Sequence, residues 1–222
     1  MLDMEETARE RVPWGSLSTD AIVDGALRLI ERDGMDALSI RALTAELGVG
    51  RMSLYRHVEN KDALLALVVN TVAERELLFN PADDVSWQDE LRINARQIRK
   101  QLTRYPGLGQ LLLTGGALGP ASRRFAEQLL RVFDRAGFRD DDLAICYLIF
   151  IDTVLGRIYR ETSGDFASNQ RMRSFTGEAD PEHPTPILTT VAAHLASTDT
   201  VTLFETMLDV MIQGFTTRLA KA

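Results

Sequence analysis

The chain has 222 residues, 45% hydrophobic and 26% charged, which suits one large or two small domains with a sizeable core. Its single cysteine excludes an internal disulfide. Neither a signal peptide nor an uninterrupted apolar run of about 18 residues is present, so a cytoplasmic protein without a membrane span is expected. The formal net charge of −7 argues against indiscriminate nucleic-acid binding, although charges beyond a Debye length of about 10 Å are screened.

Residues 1–17 are polar and mixed in charge, with Pro13, Trp14 and Gly15 near their end. They read as a flexible arm in which Asp3, Glu5, Glu6 and Glu10 offset Arg9 and Arg11. Ser18 is a good N-cap, and Leu17 is placed to staple onto Ile22. The helix that follows, to about Arg32, has Ile22, Ala26, Leu29 and Ile30 on its inner face, and Asp33-Gly34 stops it.

A second helix opens at Ser39, with Leu38 stapling onto Leu43, and ends at Gly48, where a left-handed cap is needed. Gly50 frees the chain to start a short third helix, Arg51 to about His57. Leu43, Leu47, Leu54 and Val58 fall where they can face one another and close a small core. This is the pattern of a helix-turn-helix, whose second helix lies in a DNA major groove. Over 39–61 the basic residues Arg41, Arg51, Arg56 and Lys61 stand against Glu46 and Glu59, so four positive charges less two negative leave +2 inside an acidic protein.

Asn60 caps a fourth helix from Lys61 to about Leu78, with Leu64, Leu67, Val68, Thr71 and Val72 at helical spacing, which suits a rigid connector. Asn80-Pro81 with Asp83-Asp84 breaks it. Ser86 caps a helix through Arg104 with Leu91, Ala95, Ile98 and Leu102 inward, ended by Tyr105-Pro106-Gly107. A short apolar helix, Leu108 to Leu113, precedes a loop containing Gly115, Gly116, Gly119 and Pro120. Ala121 to Ala136 is helical and stopped by Gly137. Asp140 to Asp142 open the most apolar helix, to about Tyr159, whose stretch from Leu143 to Leu155 reads as buried. Residues 163–186, with Pro181, Pro184 and Pro186, read as a long mobile linker. Two helices remain, Ile187 to Leu195 and Val201 to Leu219, the last with Phe204, Leu208, Met211 and Phe215 on one stripe. No strand pattern stands out, and the expected fold class is all-α.

The segment SLYRHVENKDALL resembles the recognition helix, turn and connector start of the TetR family of bacterial transcriptional repressors. Further on, Ser86-Trp87-Gln88-Asp89, Leu91-Arg92, Asn94-Ala95, Gln128, Gly137-Phe138 and Leu155-Gly156 are similar to the ligand domain of the tetracycline repressor. The resemblance implies an arm (1–17), a helix-turn-helix DNA-binding domain (18–66) and a C-terminal ligand-binding and dimerisation domain (67–222). It places Arg41 at a DNA-contacting position of the second helix, Arg51, Met52, Ser53, Tyr55, Arg56 and His57 on the recognition helix, and Lys61 at a phosphate contact.

The residues themselves agree. With Leu54 inward, Met52 and Arg56 lie on the opposite face at about 100° per residue. Arg51 in the first turn can reach a guanine edge in a bidentate fashion. Tyr55 offers a hydroxyl to phosphate and a ring for packing. His57 reads equally as a local cap or a phosphate donor. Thr44 stands where the motif usually has alanine and must tuck against the third helix, its hydroxyl bonding its own backbone.

In the ligand domain the resemblance places Asn94, Ile98, Leu112 and Gln128 at effector-contacting positions. Asn94 and Gln128 match polar residues, though either amide could equally face solvent. Glu76 and Leu112 stand in place of histidines, the second of them a metal ligand, and Ile98 in place of an aromatic. Leucine cannot coordinate magnesium, so a metal–tetracycline complex is not the expected effector, and a largely apolar pocket with a few polar groups is.

Cys146, in the apolar run, reads as a small core residue. The glycines at 115, 116 and 119 follow no strand and read as a flexible loop. His183 and His194 have no companions at metal spacing. No nucleophile elbow or HExxH appears, so neither an enzyme nor a cofactor is expected. The expectation is a homodimeric repressor on a palindromic double-stranded DNA operator, answering to a small, largely apolar effector. Helices 143–159 and 201–219 carry more apolar surface than one chain can hide and would form a four-helix interface. The alternative is a small-molecule binding module whose helix-turn-helix is vestigial or docks protein.

Overall fold

The computed structural model describes residues 17–78, 84–105, 107–113, 119–162, 182 and 184–221, and every regular element among them is helical. In chain order the α-helices are α1 (Thr19–Asp33), α2 (Ile40–Leu47), α3 (Arg51–Tyr55), α4 (Lys61–Val72), α5 (Trp87–Arg104), α6 (Leu108–Leu113), α7 (Pro120–Ala136), α8 (Asp140–Thr162), α9 (Pro186–Ser197) and α10 (Thr200–Leu219). The arm, the Asn80-Pro81 break, the glycines at 115 and 116, and nearly all of the 163–186 linker, His183 included, lie outside the described residues.

The helix starts follow the chemistry of their caps. A terminus leaves its first amides without intrahelical partners, and a short polar side chain supplies the acceptor. Ser18 Oγ accepts from Ala21 N at 3.1 Å, Ser39 Oγ from Ala42 N at 3.1 Å, Asn60 Oδ1 from Ala63 N at 2.8 Å, and Ser86 Oγ from Asp89 N at 3.1 Å. Asp199 does the same for α10, accepting from Val201 N and Thr202 N.

Residues α1–α3 enclose a small core in which Ile22, Ala26, Ile30, Leu38, Leu43 and Leu54 are fully buried, and Leu47 and Val58 nearly so. Gly48 closes α2 at φ 65°, ψ 28°. A Cβ there would meet nothing within 4 Å, so the glycine answers to its backbone angle and not to crowding. Gly25 is the opposite case: a Cβ would come within 2.7 Å of Leu47 Cδ2, so α1 and α2 approach most closely there. The third helix ends at Tyr55, with Arg56 and His57 in a turn instead of a continuing helix.

The connector does not run as one α-helix to Leu78. After Val72 it passes into a π-helical turn, Ala73–Leu77, closed by Leu78 N donating to Ala73 O at 3.1 Å. Its buried set also differs from a single stripe: Leu64, Val68, Val69 and Val72 are buried, whereas Leu67 and Thr71 are half-buried. Two neighbours cause this, because α4 packs on α1 and on α7.

The larger unit centres on Phe133 of α7. Its ring meets Phe138, Phe150 of α8 and Phe215 of α10 edge to face, with centroids 5.6, 6.2 and 5.4 Å away. On α10 the buried stripe is Phe204, Leu208, Ile212 and Phe215. Ile212 replaces the expected Met211, which flanks the stripe half-buried, because successive steps of four residues from Phe204 lead to Ile212. Arg92–Asp209 (3.1 Å), Arg96–Glu205 (2.7 Å) and the part-buried Arg99–Glu161 (2.5 Å) tie α5 to α10 and α8.

The helix α8 is buried on one side only. Cys146, Phe150, Val154 and Ile158 face the core, while Ile145, Leu148 and Ile149 are exposed in the isolated protomer. Val201, Leu203 and Val210 of α10 are exposed as well, Val210 at 66%. An apolar surface of this kind on two adjacent helices is a candidate association face.

Phe133→Ala is expected to destabilise the fold by about 3–5 kcal/mol, because it empties the centre of the aromatic cluster. Urea unfolding at fixed protomer concentration measures this, with Ile187→Ala, at an exposed position, as the control.

Candidate DNA-reading face and effector cavity

The short helix α3 has one inward residue, Leu54, fully buried. Arg51, Met52, Tyr55 and Arg56 are all exposed, Met52 at 77% and Tyr55 at 45%. Spacing of i, i+1, i+4 and i+5 gathers these four on one face, so a cationic and apolar surface stands opposite the buried leucine. Ser53 is half-buried and its hydroxyl accepts from Arg56 Nη2 at 3.2 Å. His57 is exposed beside it, as are Arg41 in the first turn of α2 and Lys61 at the start of α4. Thr44 is buried and its hydroxyl donates to Arg41 O at 2.9 Å.

Electrostatics separates these cations from the rest. Most other arginines among the described residues are held by carboxylates, whereas Arg41, Arg51, Arg56 and Lys61 form no ion pair there. Glu46, which the charge count set against them, points the other way. Its carboxylate accepts from Arg28 Nε at 3.1 Å and Arg32 Nη1 at 3.3 Å on α1. The Arg28 hydrogen bond, with Arg32 beside it, holds the Glu46 carboxyl below the usual glutamate range.

The second feature is an apolar cavity of about 220 Å³ among α4, the π-helical turn and α5–α8. Its wall includes Val69, Val72, Leu77, Ile98, Leu102, Leu108, Leu112, Phe125 and Leu155. The polar groups on it are Gln101, Ser122, Tyr147 and Asp152. Burial, with Asp152 nearby, pushes the Tyr147 phenol up, so it remains a neutral hydroxyl at physiological pH.

Of the four expected ligand residues, Ile98 and Leu112 line this cavity, and Asn94 and Gln128 are not among its lining. Asn94 is fully buried, donates from Nδ2 to Glu90 O at 2.8 Å and accepts from Gln128 Nε2 at 2.9 Å. The two amides join α5 to α7 beside the cavity. The polar wall residues Gln101, Ser122, Tyr147 and Asp152 are not among those expected from the sequence, although Asn94, Ile98 and Gln101 share one helical face at i, i+4 and i+7. Among the described residues no group of three His, Cys, Asp or Glu is arranged to hold a metal ion, and no helix is long and apolar enough to cross a membrane.

The two features are joined through α4. Asn70 Oδ1 accepts from Ala121 N at 2.8 Å and so caps α7 on the cavity side. A Cβ at Gly119 would come within 2.5 Å of that oxygen, so the contact requires glycine. On the other side, Arg75 in the π-helical turn reaches Asp24 and Asp20 of α1, each at 2.6 Å.

Comparison with known proteins agrees with this arrangement. The model of the bacterial regulatory proteins of the tetR family matches residues 22–68, and that of the tetracyclin repressor-like C-terminal domain matches residues 80–219. The chain belongs to the TetR family of helix-turn-helix transcriptional regulators. It is 30% identical over 206 residues to the class D tetracycline repressor protein of Escherichia coli, covering 91% of each chain. It is 33% identical over 148 residues to the transcriptional repressor DrrR1 of Streptomyces coeruleorubidus, spanning 66% of this chain but only 54% of that relative. The fold is similar to apo ActR of Streptomyces coelicolor, with TM-score 0.76, 27% identity and coverage of 92% and 95% of the two chains. It is equally similar to ActR in complex with actinorhodin, with TM-score 0.77, 25% identity and coverage of 94% and 99%.

Because the folded-state pKa of Glu46 is depressed, its contribution is complete above the ordinary glutamate pKa and is lost as pH falls through the folded value. Its arginine partners are more than half exposed, so solvent screens the pairs. Glu46→Gln is expected to cost a few tenths to about 1 kcal/mol at neutral pH. Urea titrations should show that difference vanish in acid.

Proposed function

We propose that this ligand-responsive DNA-binding repressor acts as a homodimer on a palindromic operator and is controlled through the α4–α8 cavity. The observation that carries the reading is the set of unpaired cations on and around α3 in an acidic protein most of whose other described arginines are ion-paired. A chain of net charge −7 with a small group of free cations on and around one short helix gains little from non-specific binding. It concentrates its affinity where base edges and phosphates meet that helix. In this reading Arg51 and Arg56 read bases, with Met52 and Tyr55 packing beside them. Arg41, Ser53, His57 and Lys61 position the helix on phosphate. In this reading the protein acts on the chromosome, in the bacterial cytoplasm.

One α3 offers few contacts, and two-fold pairing doubles them. The exposed apolar faces of α8 and α10 supply the pairing surface, and the two recognition helices then meet successive major grooves about 35 Å apart. An effector in the cavity touches the connector directly, through Val69, Val72, Ala73 and Leu77. By preferring one position of that connector, it shifts the dimer between forms that do and do not match the operator. ActR has been solved with actinorhodin bound, and an effector of largely apolar character suits the wall of this cavity. A binding module with a vestigial helix-turn-helix is not favoured, since its α3 would have no reason to hold cations free.

Gel-shift titration on the promoter next to the protein's own gene tests this reading. Arg51→Ala and Arg56→Ala are each expected to cost about 1–3 kcal/mol of operator binding and to relax sequence preference. Lys61→Ala should weaken all sequences alike and reduce the salt slope by about 1. Wild-type affinity in the double variant Arg51→Ala/Arg56→Ala would contradict the assignment.

A further inference from the structure

Resting on the reading of the cavity as the effector site, we propose that Gln101 is its polar recognition point. The effector is then an uncharged or cationic, largely apolar molecule that donates a hydrogen bond to the Gln101 carbonyl. Gln101 is 2% exposed and lines the cavity. Its Nε2 donates to Glu76 Oε2 at 3.1 Å. Its Oε1 is buried and has no partner among the described residues. A buried acceptor without a donor is uncommon in folded proteins and calls for an explanation.

The amide cannot resolve this by turning over. A flip would present Oε1 to the Glu76 carboxylate, placing two acceptors against each other, so Glu76 fixes which end is left over. The carbonyl is therefore the end that a cavity ligand would complete. A ligand that fills the space without donating leaves this oxygen desolvated and unpaired, and the site discriminates against it.

The sign of the wall narrows the class further. None of the described lining residues is Arg, Lys or His, whereas Asp152 lies on the wall and Glu76 stands behind Gln101. A carboxylate ligand would enter a low-dielectric space with no cation to meet it, which is costly. A neutral hydroxyl or amine meets no such penalty, and a cation is favoured. Size sets the scale: an apolar cavity of about 150 Å³ accepts benzene, and one of about 220 Å³ suits a two-ring molecule.

The test uses the full-length dimer and three probes of one shape: 2-naphthol, which donates, 2-methoxynaphthalene, which does not, and 2-naphthoate, which is anionic. Binding is followed by calorimetry in wild type, Gln101→Leu, Gln101→Met and the cavity-filling Ala126→Trp, with operator binding and thermal melting reporting the fold. Wild type is expected to prefer 2-naphthol over both other probes by about tenfold or more. Both Gln101 variants should lose the preference over the methoxy compound, and Ala126→Trp should abolish all binding. The wild-type comparison needs no variant, so it decides the matter even if a substitution fails to fold. Should the probes bind, be blocked by Ala126→Trp and show no preference, or keep it in both Gln101 variants, the proposal is overturned and the cavity reading stands. Should no probe bind, or should all bind regardless of Ala126→Trp in a folded variant, the cavity reading falls and the proposal with it.

Discussion

The arrangement depends on one helix belonging to two cores. Leu64 and Val68 of α4 are fully buried, and α4 packs on α1 of the helix-turn-helix unit. Val69 and Val72, a fraction of a turn away, form part of the cavity wall. A close-packed helix shared in this way cannot move in one core without the other responding, because interiors transmit displacement instead of absorbing it. Polar contacts fasten both sides: Asn70 caps α7, and Arg75 clamps α1 through Asp20 and Asp24. The π-helical turn at Ala73–Leu77 carries the Arg75 clamp, and its Ala73 and Leu77 line the cavity. Single π turns are often found at functional sites, and this one carries Glu76, the partner of Gln101.

Charge is distributed to the same end. The acidic surplus is spread over the body, where arginines on α5, α7 and α10 meet carboxylates on neighbouring helices. These pairs hold the helices in register but contribute modestly to stability, since most are partly exposed. The face of α3 is spared this neutralisation. In the proposed reading, specific recognition rests on a few side chains whose spacing between protomers is set far away, at the apolar faces of α8 and α10. Control of that spacing is a more economical switch than a change in the recognition helix itself.

Much of this was legible in the sequence, for local reasons. Ser18, Ser39, Asn60 and Ser86 announce helix starts because capping is decided within four residues. Gly48 announces the turn because only its φ requires glycine. Leu43, Leu47, Leu54 and Val58 mark the small core by their spacing alone. What was not legible depends on partners distant in sequence. The crowding at Gly25 comes from Leu47, and the end of the regular connector comes from packing on two sides at once. Asn94 and Gln128 carry the resemblance to an effector site, yet they satisfy one another, and Gln101 on the same helical face holds the unpaired group. A polar residue on an inward face reads the same in sequence whether its partner is a ligand or a neighbour.

If two copies of α3 read one DNA site as a rigidly spaced pair, the pattern of protection they leave on DNA is fixed by that spacing. Hydroxyl-radical footprinting of the wild-type protein on a duplex selected by it from random DNA measures this most directly. Two protected segments related by two-fold symmetry are expected, on one face of the duplex and centred about one helical turn apart. A single asymmetric protected segment, or two whose separation varies from site to site, would contradict it.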